Sequence, residues 1–93
     1  MSYRITNYTK EQASKLGVIV KPSTVKGKKI DVFNKKGEKL ASVGALGYGD
    51  YPTFKSTHGK EYADNRRKLY KMRHESDRHQ RGTPGYYADK LLW

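Results

Sequence analysis

Two short runs of alternating residues constrain the fold of this chain most, Lys29 to Asn34 and Lys39 to Val43 on either side of Lys35-Lys36-Gly37. In the first, Ile30, Val32 and more weakly Asn34 alternate with Lys29, Asp31 and Phe33. That is the period of a strand with one buried face. The second run, Lys39-Leu40-Ala41-Ser42-Val43, resumes the pattern after a glycine-containing turn, and the pair predicts a β-hairpin. Val18-Ile19-Val20, ended by Pro22, adds a further β-branched run. Runs this short predict a small antiparallel sheet.

Around that sheet the spacing predicts helices. Tyr3, Ile5 and Tyr8 alternate with polar residues, as in an N-terminal strand. Thr9-Lys10-Glu11-Gln12 then reads as a capping box, opening a short helix through Ala13 and Leu16 to Gly17 at its C-cap. Gly44, Gly47 and Gly49, closed by Asp50-Tyr51-Pro52, read as a tight loop leaving the sheet; no Lys-Ser or Lys-Thr follows to make a phosphate cradle. Lys60 to His74 is the longest helical pattern, Ser76 to Gly82 a loop, and Thr83-Pro84 an N-cap followed by proline at the first helical position. The fold class expected is α+β, a small hairpin-based antiparallel sheet packed with a basic C-terminal helix and a short terminal helix. The whole chain, 1–93, reads as one small domain: an N-terminal strand and short-helix extension over 1–25, the hairpin and Gly-rich loop over 26–58, and the basic helix with a docking tail over 59–93.

The tail is Tyr86, Tyr87, Leu91, Leu92 and Trp93, the last being the only tryptophan. Chain ends fray unless tied down, and burying each large apolar side chain is worth roughly 1.5 to 3 kcal/mol. These five residues are therefore expected to dock, on this chain's own sheet or on a neighbouring protein.

With 93 residues and 34% of them apolar, the core is small. The absence of cysteine excludes a disulfide framework, a Cys-based zinc finger and a thiol nucleophile. No apolar run approaches membrane-spanning length and the first residues lack a signal-peptide stretch, so a soluble chain in a reducing compartment, without a membrane partner, is expected.

Twenty Lys and Arg against nine Asp and Glu leave a formal charge of +11, a field that attracts polyanions or acidic protein surfaces. The excess lies in two places. Lys21, Lys26, Lys28, Lys29, Lys35, Lys36 and Lys39 face only Asp31 and Glu38 in the first; Arg66, Arg67, Lys68, Lys71, Arg73, Arg78 and Arg81 face only Glu75 and Asp77 in the second. Arginine holds phosphate or carboxylate in a planar fork, which makes the second cluster the better defined contact. On the helix, Tyr62, Arg66, Leu69, Tyr70 and Arg73 share one side, with Arg67, Tyr70 and His74 on the adjoining stripe. One reading packs Tyr62, Leu69 and Met72 on the sheet while the arginines stack on tyrosines or pair with Asp50, Glu61 or Asp64. The other presents Arg66, Arg67, Lys68, Lys71, Arg73 and His74, with Lys28 and Lys29, to nucleic-acid phosphates or to an acidic partner.

Catalytic patterns are weak. His58, His74 and His79 lack the i,i+4 spacing of a helical metal site, and neither Asp31 and Glu38 with Lys39 nor His74 with Glu75 makes a convincing nuclease constellation. The chain reads as a non-enzyme that needs no cofactor and no metal.

The segments GKKIDVF, GDYPTF, YADNRRKLYKMRHESDR and GTPGYYADKLLW, in that order, resemble a family of small basic proteins of unknown function encoded by large DNA viruses and tailed phages. The resemblance runs from Lys28 to Trp93 and rests on Arg66-Arg67-x-x-Tyr70-x-x-Arg73-His74 followed by Leu92-Trp93; the segment up to Val25 has no counterpart. It implies a viral origin and a place in or near the virion, with the host cytoplasm or nucleus as the site of assembly. Two functions are then expected. One is a minor capsid or virion-associated protein that bridges viral capsid or other virion proteins through its aromatic and arginine contacts. The alternative is a sequence-independent binder of double-stranded DNA, its helix neutralising phosphates and an exposed tyrosine stacking on a base.

Overall fold

In the computed structural model, which describes residues 3–93, the hairpin forms the centre of a three-stranded antiparallel sheet. Strands β1 (Ile19–Pro22), β2 (Lys28–Phe33) and β3 (Lys39–Ala45) lie in the order β1-β2-β3. Val32 sits opposite both Val20 and Ala41, and Ile30 opposite both Pro22 and Val43, so the apolar positions of all three strands share one face. Helices α1 (Asn7–Leu16), α2 (Tyr51–His58), α3 (Lys60–Arg73) and α4 (Pro84–Leu92) complete the α+β architecture.

The core lies between that face and two of the helices. Ile30, Val32, Ala41 and Val43 from the sheet meet Ala13 from α1 and Tyr87, Leu91 and Leu92 from α4. The tail thus docks on the chain's own sheet. Its last carbonyls, which a helix C-terminus leaves without partners, are met by side chains from α1. Thr9 Oγ1 donates to the Leu91 carbonyl at 2.9 Å and Gln12 Nε2 to that of Lys90 at 3.2 Å.

This corrects the expected start of α1. Thr9 and Gln12 do not form a capping box; the helix begins earlier, and Thr6 is the N-cap, accepting from the Thr9 N–H. Gly17 closes α1 in the left-handed conformation, as its position implied. Among the described residues no strand precedes α1: residues 3–6 are irregular, and Tyr3 and Ile5 pack against the core from there.

The glycine-rich stretch was expected to be a loop, but part of it is helical. Asp50 caps α2, accepting from the Thr53 N–H at 3.0 Å, with Pro52 in the first turn. These are the same signals, N-cap then proline, that mark Thr83-Pro84 at the start of α4. Two glycines in this stretch are required. Gly44 has φ +81°, and a Cβ there would lie 2.8 Å from Leu92 and 2.9 Å from Lys29; at Gly49 the ring of Phe54 occupies the place of a Cβ.

Helices α2 and α3 pair with each other and join the rest through α1 and α4. The guanidinium of Arg67 lies 3.4 Å from the Tyr51 ring centroid and donates to the Tyr8 hydroxyl at 3.3 Å. Lys71 donates to Asp89 at 2.8 Å, and Tyr70 stacks on Trp93. The buried positions of α3 are Ala63 and Tyr70, whereas Tyr62, Leu69 and Met72 are exposed, so the expected packing of those three on the sheet does not occur.

Candidate functional site

Where the first residues of β2, the end of β3, the middle of α3 and the end of α4 converge, a cleft of about 440 Å³ opens. Its volume falls within the range of small-molecule pockets, roughly 300 to 1,000 Å³. One wall is a column of rings. Trp93 stacks on Tyr70 with centroids 4.4 Å apart and planes 9° apart, and Tyr70 stacks on His74, also at 4.4 Å. Tyr70 and His74 are one helical turn apart and therefore neighbours on the surface of α3, while α4 delivers Trp93 just beyond its last turn. Phe54 of α2 closes the column 6.0 Å from Trp93. At the mouth stands Tyr48, 76% exposed on the turn after β3.

The Tyr70 ring at the centre of the column is neutral. Burial, with the Asp89 and Asp77 carboxylates nearby, pushes the Tyr70 phenol up to about 12. It offers an apolar ring face rather than an ionised oxygen.

Cations frame the rings. Arg66, its guanidinium 5.4 Å from the Phe54 centroid, and Arg73 stand on the helix side, and Lys28 on the strand side. Among the described residues none of these three forms an ion pair. The other predicted binding residues differ. Lys29 also lines the cleft, but it is buried and donates to Asp50 at 2.8 Å. Burial alone would raise the Asp50 carboxyl, yet hydrogen bonds from Lys29, the Thr53 N–H and Tyr3 hold it below its usual range. Lys71 is engaged by Asp89, and Arg67 by Tyr51 and Tyr8, its Nε buried without a partner. Lys68 is exposed on α3 away from the cleft, and His74 contacts Asp77 at 3.3 Å. The structure therefore gathers Lys28, Arg66, Arg73 and His74 at one place and assigns Lys29, Arg67 and Lys71 to internal contacts.

The docking residues divide as well. Tyr87, Leu91 and Leu92 belong to the chain's own core, with Leu91 and Leu92 at 0% and 1% exposure, so they are not available to anchor another protein. Tyr86 and Trp93 are half-buried. Sequence reasoning missed Tyr48 and Phe54 as part of the site. The signal for Tyr48 was there, an aromatic residue flanked on both sides by glycine at a loop tip.

The carboxylates weighed for catalysis have structural partners. Asp31 accepts from Ser23, Ser42 and Thr24, and Glu38 from the Asn34 side chain. Glu75 is paired with Arg78 and His79. Among the described residues no three His, Asp or Glu side chains gather to hold a metal ion, and no helix is long and apolar enough to cross a membrane.

No family model matches this chain, and no curated protein or solved structure is significantly similar to it, so the functional reading rests on the geometry of the cleft.

Proposed function

We propose that this chain is a non-enzymatic protein that binds nucleic acid without sequence preference, using Lys28, Arg66 and Arg73 as phosphate contacts. The observation that carries this reading is the contrast within the basic residues. Lys29 and Lys71 pair with carboxylates inside the chain and Arg67 is held by Tyr51 and Tyr8, whereas Lys28, Arg66 and Arg73 converge on a ring-lined cleft and, among the described residues, form no ion pair. Arg66 lies over the Phe54 ring, and the Asp77 carboxylate that lines the same cleft contacts His74. Unneutralised cations beside aromatic faces fit a phosphate backbone with bases, and nothing here resembles a base-reading module. A subunit-bridging role fits less well, because Tyr87, Leu91 and Leu92, three of its five expected docking residues, are inside the core, leaving only Tyr86 and Trp93 half-buried. A place in or near a virion rests on the resemblance alone and is compatible with binding a packaged genome.

The test is binding to random-sequence oligonucleotides, single-stranded and duplex, measured by fluorescence anisotropy between about 50 and 200 mM salt. A Lys28→Ala, Arg66→Ala, Arg73→Ala variant should lower the slope of log K against log salt by about 2 to 3, since each phosphate contact contributes about 0.7 to 0.9. An Arg67→Ala variant should lose stability instead of slope. No binding to either form at about 50 mM salt would remove nucleic acid as the ligand.

A further inference from the structure

Phosphate contacts alone do not require a cleft, since a duplex presents its backbone to any convex basic face. Here the cations surround a concavity lined by aromatic rings. Arg66 and Arg73 lie two turns apart on α3, about 10 Å along the helix axis, and Lys28 stands across from them on β2. Between these groups lie Trp93, Tyr70 and His74, with Tyr48 at the mouth. Tyr48 is the most exposed large aromatic side chain of the described residues and, unlike the rings of the column, stacks on no other ring.

We infer that this cleft takes an unpaired nucleobase, so that the ligand of the surface is single-stranded nucleic acid in preference to duplex. The inference rests on the phosphate-binding reading and adds the strand state to it. A duplex keeps its bases stacked inside and can offer the cleft only phosphate and sugar. A single strand can turn one base in among the rings, where stacking is favourable for every base because each has a π-face. Its neighbouring phosphates then meet Arg66 and Arg73 on one side and Lys28 on the other. An acidic peptide would satisfy the cations but leave the ring surface without a matching partner.

Trp93 is the only tryptophan in the chain and lines the cleft, so its emission reports directly on occupancy. The experiment titrates the intact protein with oligothymidylate and with a duplex of equal phosphate number, following Trp93 fluorescence and anisotropy of labelled nucleic acid together. The same titrations are run on Tyr48→Ala, whose exposed side chain can be removed without disturbing the core. Expected are quenching of Trp93 by oligothymidylate, tighter binding of the single strand than of the duplex, and a loss on the order of tenfold in single-strand affinity for Tyr48→Ala with duplex affinity unchanged. Equal binding of both forms with Trp93 emission unaltered would overturn base insertion while leaving the phosphate reading intact. Absence of binding to both forms would overturn the two together. Poly-glutamate of matched charge that quenches Trp93 and displaces oligothymidylate equally well would overturn the inference in favour of an acidic protein segment.

Discussion

Asp31 lies on the face of β2 opposite the apolar core, where alternation places a solvated residue, and it is 2% exposed nonetheless. Burial alone would raise its carboxyl. Hydrogen bonds from Ser23, Ser42 and the Thr24 N–H, with Lys39 3.5 Å away, outweigh that and hold it at about 2. A carboxyl lowered in the folded state stabilises the fold above its unfolded pKa, and the contribution is lost as pH falls through the folded value. Asp31→Asn is therefore expected to lower stability at neutral pH, and the gap to the parent protein should close between about pH 4 and pH 2. Urea unfolding at a series of pH values measures it; a gap independent of pH would show that the hydroxyl contacts do not depend on ionisation. The same scale explains why the site was only partly legible. Lys28 and Lys29 are adjacent and chemically identical, yet strand alternation turns one to the solvent edge of the cleft and the other to Asp50, a residue distant in sequence. Nothing in the local sequence distinguishes Arg66 from Arg67 either; the Tyr8 and Tyr51 rings that hold Arg67 are brought there by folding.

Helix α4 is held at its C-terminal end by α1. Thr9 and Gln12, three positions apart on one side of α1, supply donors to carbonyls that α4 cannot satisfy itself. The residue types that make a capping box are short or flexible polar side chains that reach a backbone group, and the same property lets them reach another helix's backbone instead. That is why Thr9-x-x-Gln12 misled as a cap while Thr6 took the role. Thr9→Val keeps the shape but leaves the buried Leu91 carbonyl without its side-chain donor, and a loss of about 1 to 2 kcal/mol is expected from urea unfolding. Because Leu92 and Trp93 follow directly, Trp93 emission of the folded variant should also change. A variant as stable as the parent would mean that water replaces the threonine hydroxyl at no cost. At this scale the sheet, α3 and α4 were legible because period and caps are local signals. The helix α2 was not, since three glycines before Asp50 outweighed the N-cap and proline that begin it.

Over the whole molecule, nine carboxylates stand against twenty lysines and arginines. Internal ion pairs with Asp31, Asp50 and Asp89 place part of the negative charge inside, where it folds the chain rather than shields its surface. The remaining positive charge repels itself, and salt screens it over a Debye length of about 10 Å at 0.1 M. Raising sodium chloride from about 20 to about 200 mM should therefore raise the midpoint of thermal unfolding by several degrees, since about 1 kcal/mol shifts it by roughly 4 to 8 °C in a domain of this size. A midpoint that falls with salt would mean that the internal pairs dominate over surface repulsion.

The sequence by itself determined the strands and their turn, the long basic helix, the capped terminal helix and the excess of positive charge. Each of these depends on residues within a few positions of one another, through side-chain period, caps and composition. Only the tertiary structure decided that Leu91 and Leu92 fill the chain's own core and that Lys29, Arg67 and Lys71 face inward. It alone set Trp93, Tyr70 and His74 in one column between Lys28, Arg66 and Arg73. The physical reason is that a cation forms an ion pair inside the chain only where folding brings a carboxylate against it, and those carboxylates come from distant parts of the chain.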